Sequence, residues 1–282
     1  MIPYDFAYYK PSTAEEAVRL YWSLREQGKR PLYYAGGTEI ITLGRVHETY
    51  TDAVIDMKGI AECQTLELRH NQLIMGAAVS LTRLRESNLF PLLGQTVSEI
   101  ADHTARNKIT LGGNLCGQIH YREAALPLLI ADTEIVIEGR SGRRNVPLNS
   151  IFDGRPRLED GELVIQLITQ ADDLELPYYS VKRRRQWSVG YPLITAAALK
   201  KDDKIRMAFS GICPFPFRNE QMEEILNDSR MNEEERIERA VQHVPGPISN
   251  DAEGTPEYRL FVLKNTLLDI LQILGGEAHA HC

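Results

Sequence analysis

The sequence predicts an α+β protein of two domains, and three observations carry that expectation. A small parallel unit comes first: a buried strand over 31–35, a helical turn, and a second strand over 53–57. Alternating segments between 65 and 167 then read as an antiparallel sheet with helices on one face. Last, two strands and a largely helical ending follow a polar, acidic stretch at 171–177 that stops at Pro177. The expected division is therefore 1–172, with subdomains 1–57 and 58–172, and 173–282.

The totals agree with this plan. A chain of 282 residues exceeds an ordinary single core, and with 43% hydrophobic residues each domain can bury its own. The formal net charge of −7 argues against a general nucleic-acid or membrane-surface binder. Cys63, Cys116, Cys213 and Cys282 lie far apart, so they make no metal or iron–sulfur framework by themselves. Neither a basic leader with an apolar core nor a run of membrane-spanning length is seen, and the expected setting is a reducing cytoplasm with free thiols.

In order along the chain, residues 12–28 read as a helix. Ser12 or Thr13 can cap it, Glu15 or Glu16 can close a capping box, and Ala17, Val18, Leu20, Tyr21 and Leu24 form one apolar face. Gly36 and Gly37 follow the first strand, where α/β units deliver ligands to glycine-rich turns; a tight strand-to-helix turn is the alternative. Neither G-x-G-x-x-G nor a Walker loop is present there. A hairpin turns at residues 70–72, Ser80 caps a short helix, and a longer helix is expected from about 92 to 104.

Residues 106–117 come next, and they read as a loop. Gly112 and Gly113, flanked by Thr110 and Asn114, remove the Cβ atoms that would hold an anion away from the main chain and let N–H groups converge; a plain turn is the alternative. Residues 124–131 are apolar and helical, and strands follow at 134–137, 144–147 and 162–167. Past the boundary, Lys182, Arg183, Arg184 and Arg185 precede Trp187. In an acidic chain this run reads as a solvated strand edge or subunit contact, with Lys182 pointing inward. Strands at 193–199 and 205–212 join at residues 201–203, and Pro214 and Pro216 break the sheet. The ending is helical, with Leu260, Leu263, Leu267, Ile270, Leu271 and Leu274 on its core face. His279, His281 and Cys282 are metal-ligand types, read here as a frayed terminus.

Two glycine pairs some seventy residues apart, with an inward lysine in the second domain, resemble the FAD-binding medium subunit of molybdenum hydroxylases, the family of xanthine dehydrogenase and carbon monoxide dehydrogenase. The resemblance spans nearly the whole chain. It also rests on the Pro-rich turn after Gly211 and on the helix start at Pro256, Glu257, Tyr258 and Arg259. It implies a two-subdomain FAD-binding fold, like that of the PCMH/vanillyl-alcohol-oxidase flavoproteins, followed by a C-terminal domain of antiparallel sheet and helices. By matching position, Tyr33, Tyr34, Ala35, Gly36, Gly37, Thr38, Glu39 and Ile40 would hold the cofactor together with Thr110, Leu111, Gly112, Gly113 and Asn114. Ile100, Glu123, Val164 and Lys182 are the further implied contacts. Glu123 stands where the family usually has Asp, and residues 118–122 depart from its small-residue segment, which singles out His120 and Tyr121.

The function so implied is an oxidoreductase subunit. FAD would receive electrons from a [2Fe–2S] subunit served by a molybdenum-cofactor subunit, and NAD+ or another acceptor would take them. No Ser-His-Asp or Cys-His triad competes. The rival expectation is a flavin-free assembly subunit that uses the cations at 182–185 and the C-terminal helices as a surface; an independent flavin oxidase is a third.

Overall fold

The computed structural model describes residues 4–185 and 190–276, so Trp187 and the tail at 277–282 lie outside the described residues. The chain opens with β1 (Ala7–Tyr9), α1 (Ala14–Glu26), β2 (Pro31–Tyr34), α2 (Thr38–Arg45) and β3 (Ala53–Asp56). Thr13 caps α1 by accepting from Glu16 N–H, and the Glu16 carboxylate accepts from Ser12 N–H at 2.7 Å, so the capping box forms. Ala14, Ala17, Val18 and Leu24 are buried on its inner face. The sheet runs β1-β3-β2, all parallel, with Val54 opposite both Tyr8 and Leu32. Sequence reasoning found two of these strands; β1 has only three residues and too little pattern to read.

Next come β4 (Leu66–Arg69), β5 (Gln72–Gly76), α3 (Leu81–Ser87), α4 (Pro91–Ser98), α5 (His103–Arg106), α6 (Leu111–Cys116), α7 (Ala125–Ile130), β6 (Glu134–Gly139), β7 (Gly142–Pro147), α8 (Leu148–Ile151) and β8 (Leu163–Gln170). The five strands form an antiparallel sheet in the order β4-β5-β8-β6-β7. His70 and Asn71 both take positive φ at the tip of the first hairpin, as its two-residue turn requires.

Two expectations need correction in this region. The helix expected from 92 to 104 is broken: α4 stops at Ser98, Ala101 adopts φ 48°, and the Asp102 carboxylate caps α5 by accepting from Ala105 N–H at 2.7 Å. Asp102 competes with helix continuation by offering its own cap. The stretch 106–117 is likewise no open loop, because Thr110 caps α6 and the glycines lie in that helix's first turn.

The rest of the chain supplies β9 (Tyr178–Arg183), β10 (Ile194–Lys201), β11 (Lys204–Ser210), β12 (Phe217–Arg218), α9 (Glu220–Leu226), α10 (Glu233–Ala240) and α11 (Pro256–Leu274). These strands form an antiparallel sheet ordered β12-β11-β10-β9, so the chain rejoins the sheet after the Pro-rich break instead of leaving it. Strand β10 is buried on both faces. Ile194, Ala196 and Ala198 pack toward α11, while Ala197 and Leu199 join the core of the N-terminal part. Small alanines let helices close on a central strand from both sides. On α11, Leu263, Leu267, Ile270, Leu271 and Leu274 are buried as expected; Leu260 is only half-buried, and Arg259 is fully buried in its place. Arg259 Nη1 donates to the carbonyls of Leu193 and Gly211, and Nη2 donates to Asp251 Oδ1 at 2.6 Å, which staples the start of α11 to the sheet.

Candidate functional site: a row of free amides and a buried ion pair

The turn between β2 and α2 carries the clearest ligand-binding geometry. Gly37 is the N-cap of α2 at φ 71°, with no side-chain cap. Among the described residues, no protein acceptor meets the N–H groups of Gly36, Gly37, Thr38, Glu39 or Ile40; the first bond back into the turn runs from Ile41 N to Gly37 O at 2.9 Å. Consecutive unpaired donors at a helix start, next to two residues without Cβ, suit a dianionic group such as a pyrophosphate. The turn is pinned from behind. Lys58 Nζ donates to Ala35 O and to Asp56 Oδ1, both at 2.8 Å, and lies over the Tyr34 ring. Tyr33 turns its side chain away, stacking on Tyr21 and donating its hydroxyl to Gly161 O, so it can offer the site only backbone.

The second glycine pair lies against the first. A Cβ on Gly36 would overlap the Lys108 carbonyl, and one on Gly112 would overlap Ala77. Here the expected N–H cradle needs correction. Leu111 N donates to Val79 O, Gly112 N to Ala77 O, and Gly113 N to Thr110 Oγ1. Those amides are already used, so α6 brings close backbone approach, with Gly113 exposed, and not a second set of free donors. Asn114 is buried, and its Oδ1 accepts from Ala124 N–H at 3.1 Å. Glu39 joins the two loops: its carboxylate accepts from Gln118 N–H and Ile119 N–H at 2.9 and 3.1 Å.

The remaining expected contacts converge in part. Glu123 and Lys182 meet as an ion pair at 2.6 Å, each side chain 3% exposed. Burial pushes the Glu123 carboxyl above the usual carboxylate range, and the Lys182 ammonium offsets this only in part. Lys182 Nζ also donates to Glu99 O at 2.9 Å, which places the pair next to Ile100. Ile100 and Val164 are buried in the core, Val164 in β8 beside the register shift opposite Ile137. The run at 182–185 lies on and just after the edge strand β9, with Lys182 turned inward and Arg183 and Arg185 exposed, in line with the expected solvated edge. Its ion pairs and hydrogen bonds were not legible: Arg183 pairs with Asp269, Arg184 with Glu99, and Arg185 Nη1 donates to Ala252 O, partners far away in sequence.

Two residues within the stretches singled out by sequence hold backbone in a way that sequence reasoning did not assign. Arg106 Nη1 donates to the carbonyls of Ile100 and Ala101 and so holds the bend after α4. Arg122 is buried, and it ties Gly117 O to Gly154 O. Arg106 opens the stretch 106–117 and Arg122 closes the departing segment 118–122, but no local pattern tells which carbonyls their guanidinium groups hold. His120 Nδ1 lies 3.0 Å from Pro214 O, and Tyr121 stacks on Tyr191 at 4.7 Å, on the wall of a cleft of about 450 Å3 that also reaches Asp251 and Glu253. Burial lifts the hydroxyls of Tyr121 and, more strongly, Tyr33. Among the described residues no group of three His, Cys, Asp or Glu side chains is placed to hold a metal ion, and no helix is long and apolar enough to cross a membrane.

Comparison with known proteins shows the family and the fold. A family model described as the FAD binding domain in molybdopterin dehydrogenase matches residues 4–169. The xanthine dehydrogenase FAD-binding subunit of Escherichia coli O157:H7 is 25% identical over 295 residues, covering 97% of this chain and 99% of that one. The carbon monoxide dehydrogenase medium chain of Hydrogenophaga pseudoflava is 27% identical over 231 residues, covering 78% and 79%. A solved carbon monoxide dehydrogenase from Hydrogenophaga pseudoflava superposes with a TM-score of 0.83 at 22% identity, over 98% of this chain and 99% of the other, which bears out the expected α+β fold. With the family model covering more than half of its length, the chain belongs to the family of FAD-binding subunits of molybdopterin dehydrogenases.

Proposed function

We propose that this chain is the FAD-carrying electron-transfer subunit of a multi-subunit molybdenum-containing hydroxylase or dehydrogenase, similar to xanthine dehydrogenase. Electrons would arrive from a [2Fe–2S] subunit, itself served by a molybdenum-cofactor subunit, and leave to NAD+ or another acceptor. The observation that carries the reading is the row of five free amides at residues 36–40, in a chain of an FAD-binding family. Support for the partner subunits comes from relatives named as FAD-binding subunits and medium chains.

In this reading the amides of Gly36, Gly37, Thr38, Glu39 and Ile40 receive the pyrophosphate, and Gly113 gives the cofactor close access to α6. Glu39 keeps the two loops together by holding the amides of Gln118 and Ile119. Ile100, Glu123, Val164 and Lys182 stand toward the flavin end, the ion pair beside Ile100. Bound FAD would supply the exchange between two-electron and one-electron transfer, and the protein supplies orientation and electrostatics. The division into an FAD-binding part, 1–172, and a C-terminal part, 173–282, belongs to the same proposal.

Of the cations the flavin-free rival would use, Lys182 is buried against Glu123 and so offers no surface. Reconstitution tests the proposal. The purified chain, incubated with excess FAD and desalted, is expected to retain flavin absorbance near one equivalent; a colourless protein would contradict it.

A further inference from the structure

Lys182 enters from β9 and Glu123 from the turn before α7, and they meet at 2.6 Å with almost no exposure. Thr195 Oγ1 lies 3.5 Å from the same carboxylate oxygen. The ammonium is held a second time by Glu99 O, a carbonyl that also accepts from Arg184 Nη2 at 2.9 Å. Arg184 in turn pairs with the Glu99 carboxylate at 2.8 Å, so each cation of the cluster has its own anion. Ala124 N, donating to Asn114 Oδ1, ties the turn that carries Glu123 to the helix that carries Gly112 and Gly113. The pair is thereby built into the same wall as the glycine loops. A lone charge so buried would carry a large desolvation cost, whereas the pair leaves almost no net charge there.

We propose that Glu123 is the positioning and charge-balancing partner of Lys182, fixing the ammonium and neutralising it, so that bound FAD meets a neutral pair and not a bare cation. This inference rests on the FAD-site reading above. FAD takes up two electrons and one proton to become the anion FADH−, so an uncompensated cation beside it stabilises the reduced form and a neutral pair does not.

The test is the reduction potential of the FAD-reconstituted full chain, followed by flavin absorbance with mediator dyes poised at an electrode. Glu123→Gln is expected to favour the reduced flavin about tenfold, which is ~30 mV upward for a two-electron couple. Lys182→Met should give no upward shift, and the double variant should return close to the parent. Equal potentials in the parent and Glu123→Gln, with FAD bound to both, would overturn the inference and leave the FAD reading standing. A parent that holds no FAD would overturn that reading first. Should Glu123→Gln fail to fold, Glu123→Asp keeps the charge but loses reach; a smaller upward shift is then expected, and an unchanged potential in it, with FAD bound, overturns the proposal.

Discussion

Gly36 and Gly113 belong to paired glycine motifs that look alike in sequence, yet they answer to different physics. At Gly36 a side chain has nowhere to go, because the Lys108 carbonyl occupies the space a Cβ would need. Gly113 is exposed, and a Cβ there meets only the Thr110 hydroxyl. Gly36→Ala should therefore cost about 1–3 kcal/mol of stability through forced backbone movement, while Gly113→Ala should cost less and chiefly weaken FAD binding. Urea denaturation of the two apo variants checks the order, and a larger loss for Gly113→Ala would contradict it. Arg259 is the other residue whose neighbours decide its cost. Its guanidinium is buried and serves the carbonyls of Leu193 and Gly211 as well as Asp251. Arg259→Leu leaves those acceptors unpaired, and a loss of roughly 3 kcal/mol in the same denaturation measurement is expected.

At the scale of elements, the joint between α7 and the edge of the C-terminal sheet depends on Asp132. Its carboxylate pairs with Arg206 on β11 and with Arg218 on β12. Burial alone would push this carboxyl up, but the two guanidinium groups outweigh it and hold the group below its ordinary 3.8. A carboxyl depressed by folding contributes stability that is present above the ordinary carboxylate range and lost as pH falls through the folded value. Because Asp132 is 47% exposed, the contribution should be modest, about 1 kcal/mol after solvent screening. Asp132→Asn should remove it at neutral pH and flatten the acid limb of stability against pH; an unaltered acid limb would contradict this role. The elements also show where sequence stops being legible. α1, the first hairpin and α11 announced themselves through period and caps. The break at Ala101 did not, because the apolar spacing continues across it and only the cap from Asp102 decides the matter. For the basic run at 182–185 the exposed edge and the inward lysine were legible but the pairing was not: its carboxylate partners Glu99, Glu123 and Asp269 are 59 to 86 residues away, a distance no local pattern reports.

For the whole molecule, hydrogen bonds link the helix start at residues 36–40 to the 118–119 backbone through Glu39, and the turn carrying Glu123 to the short glycine-bearing helix through Asn114. At the first glycine loop the strand, the turn and the missing Cβ atoms were legible in local sequence, whereas its unpaired amides appear only in the fold. The use of the second loop's amides by Ala77 and Val79 was hidden, since it depends on a strand end thirty residues earlier. In the proposed role the chain would bind FAD and pass electrons, with the organic substrate held on another subunit. Anaerobic mixing of the flavin-loaded chain with purines, N-heterocycles or aldehydes should therefore leave the flavin oxidised, and bleaching would point to an independent oxidase. The most direct test of the central claim is a titration of the purified chain with FAD, read by calorimetry and by the visible spectrum after desalting. Saturable binding near one FAD per chain, weakened by Gly36→Val or Gly113→Val, is the predicted result; no heat and no retained absorbance at any FAD concentration tried would contradict it.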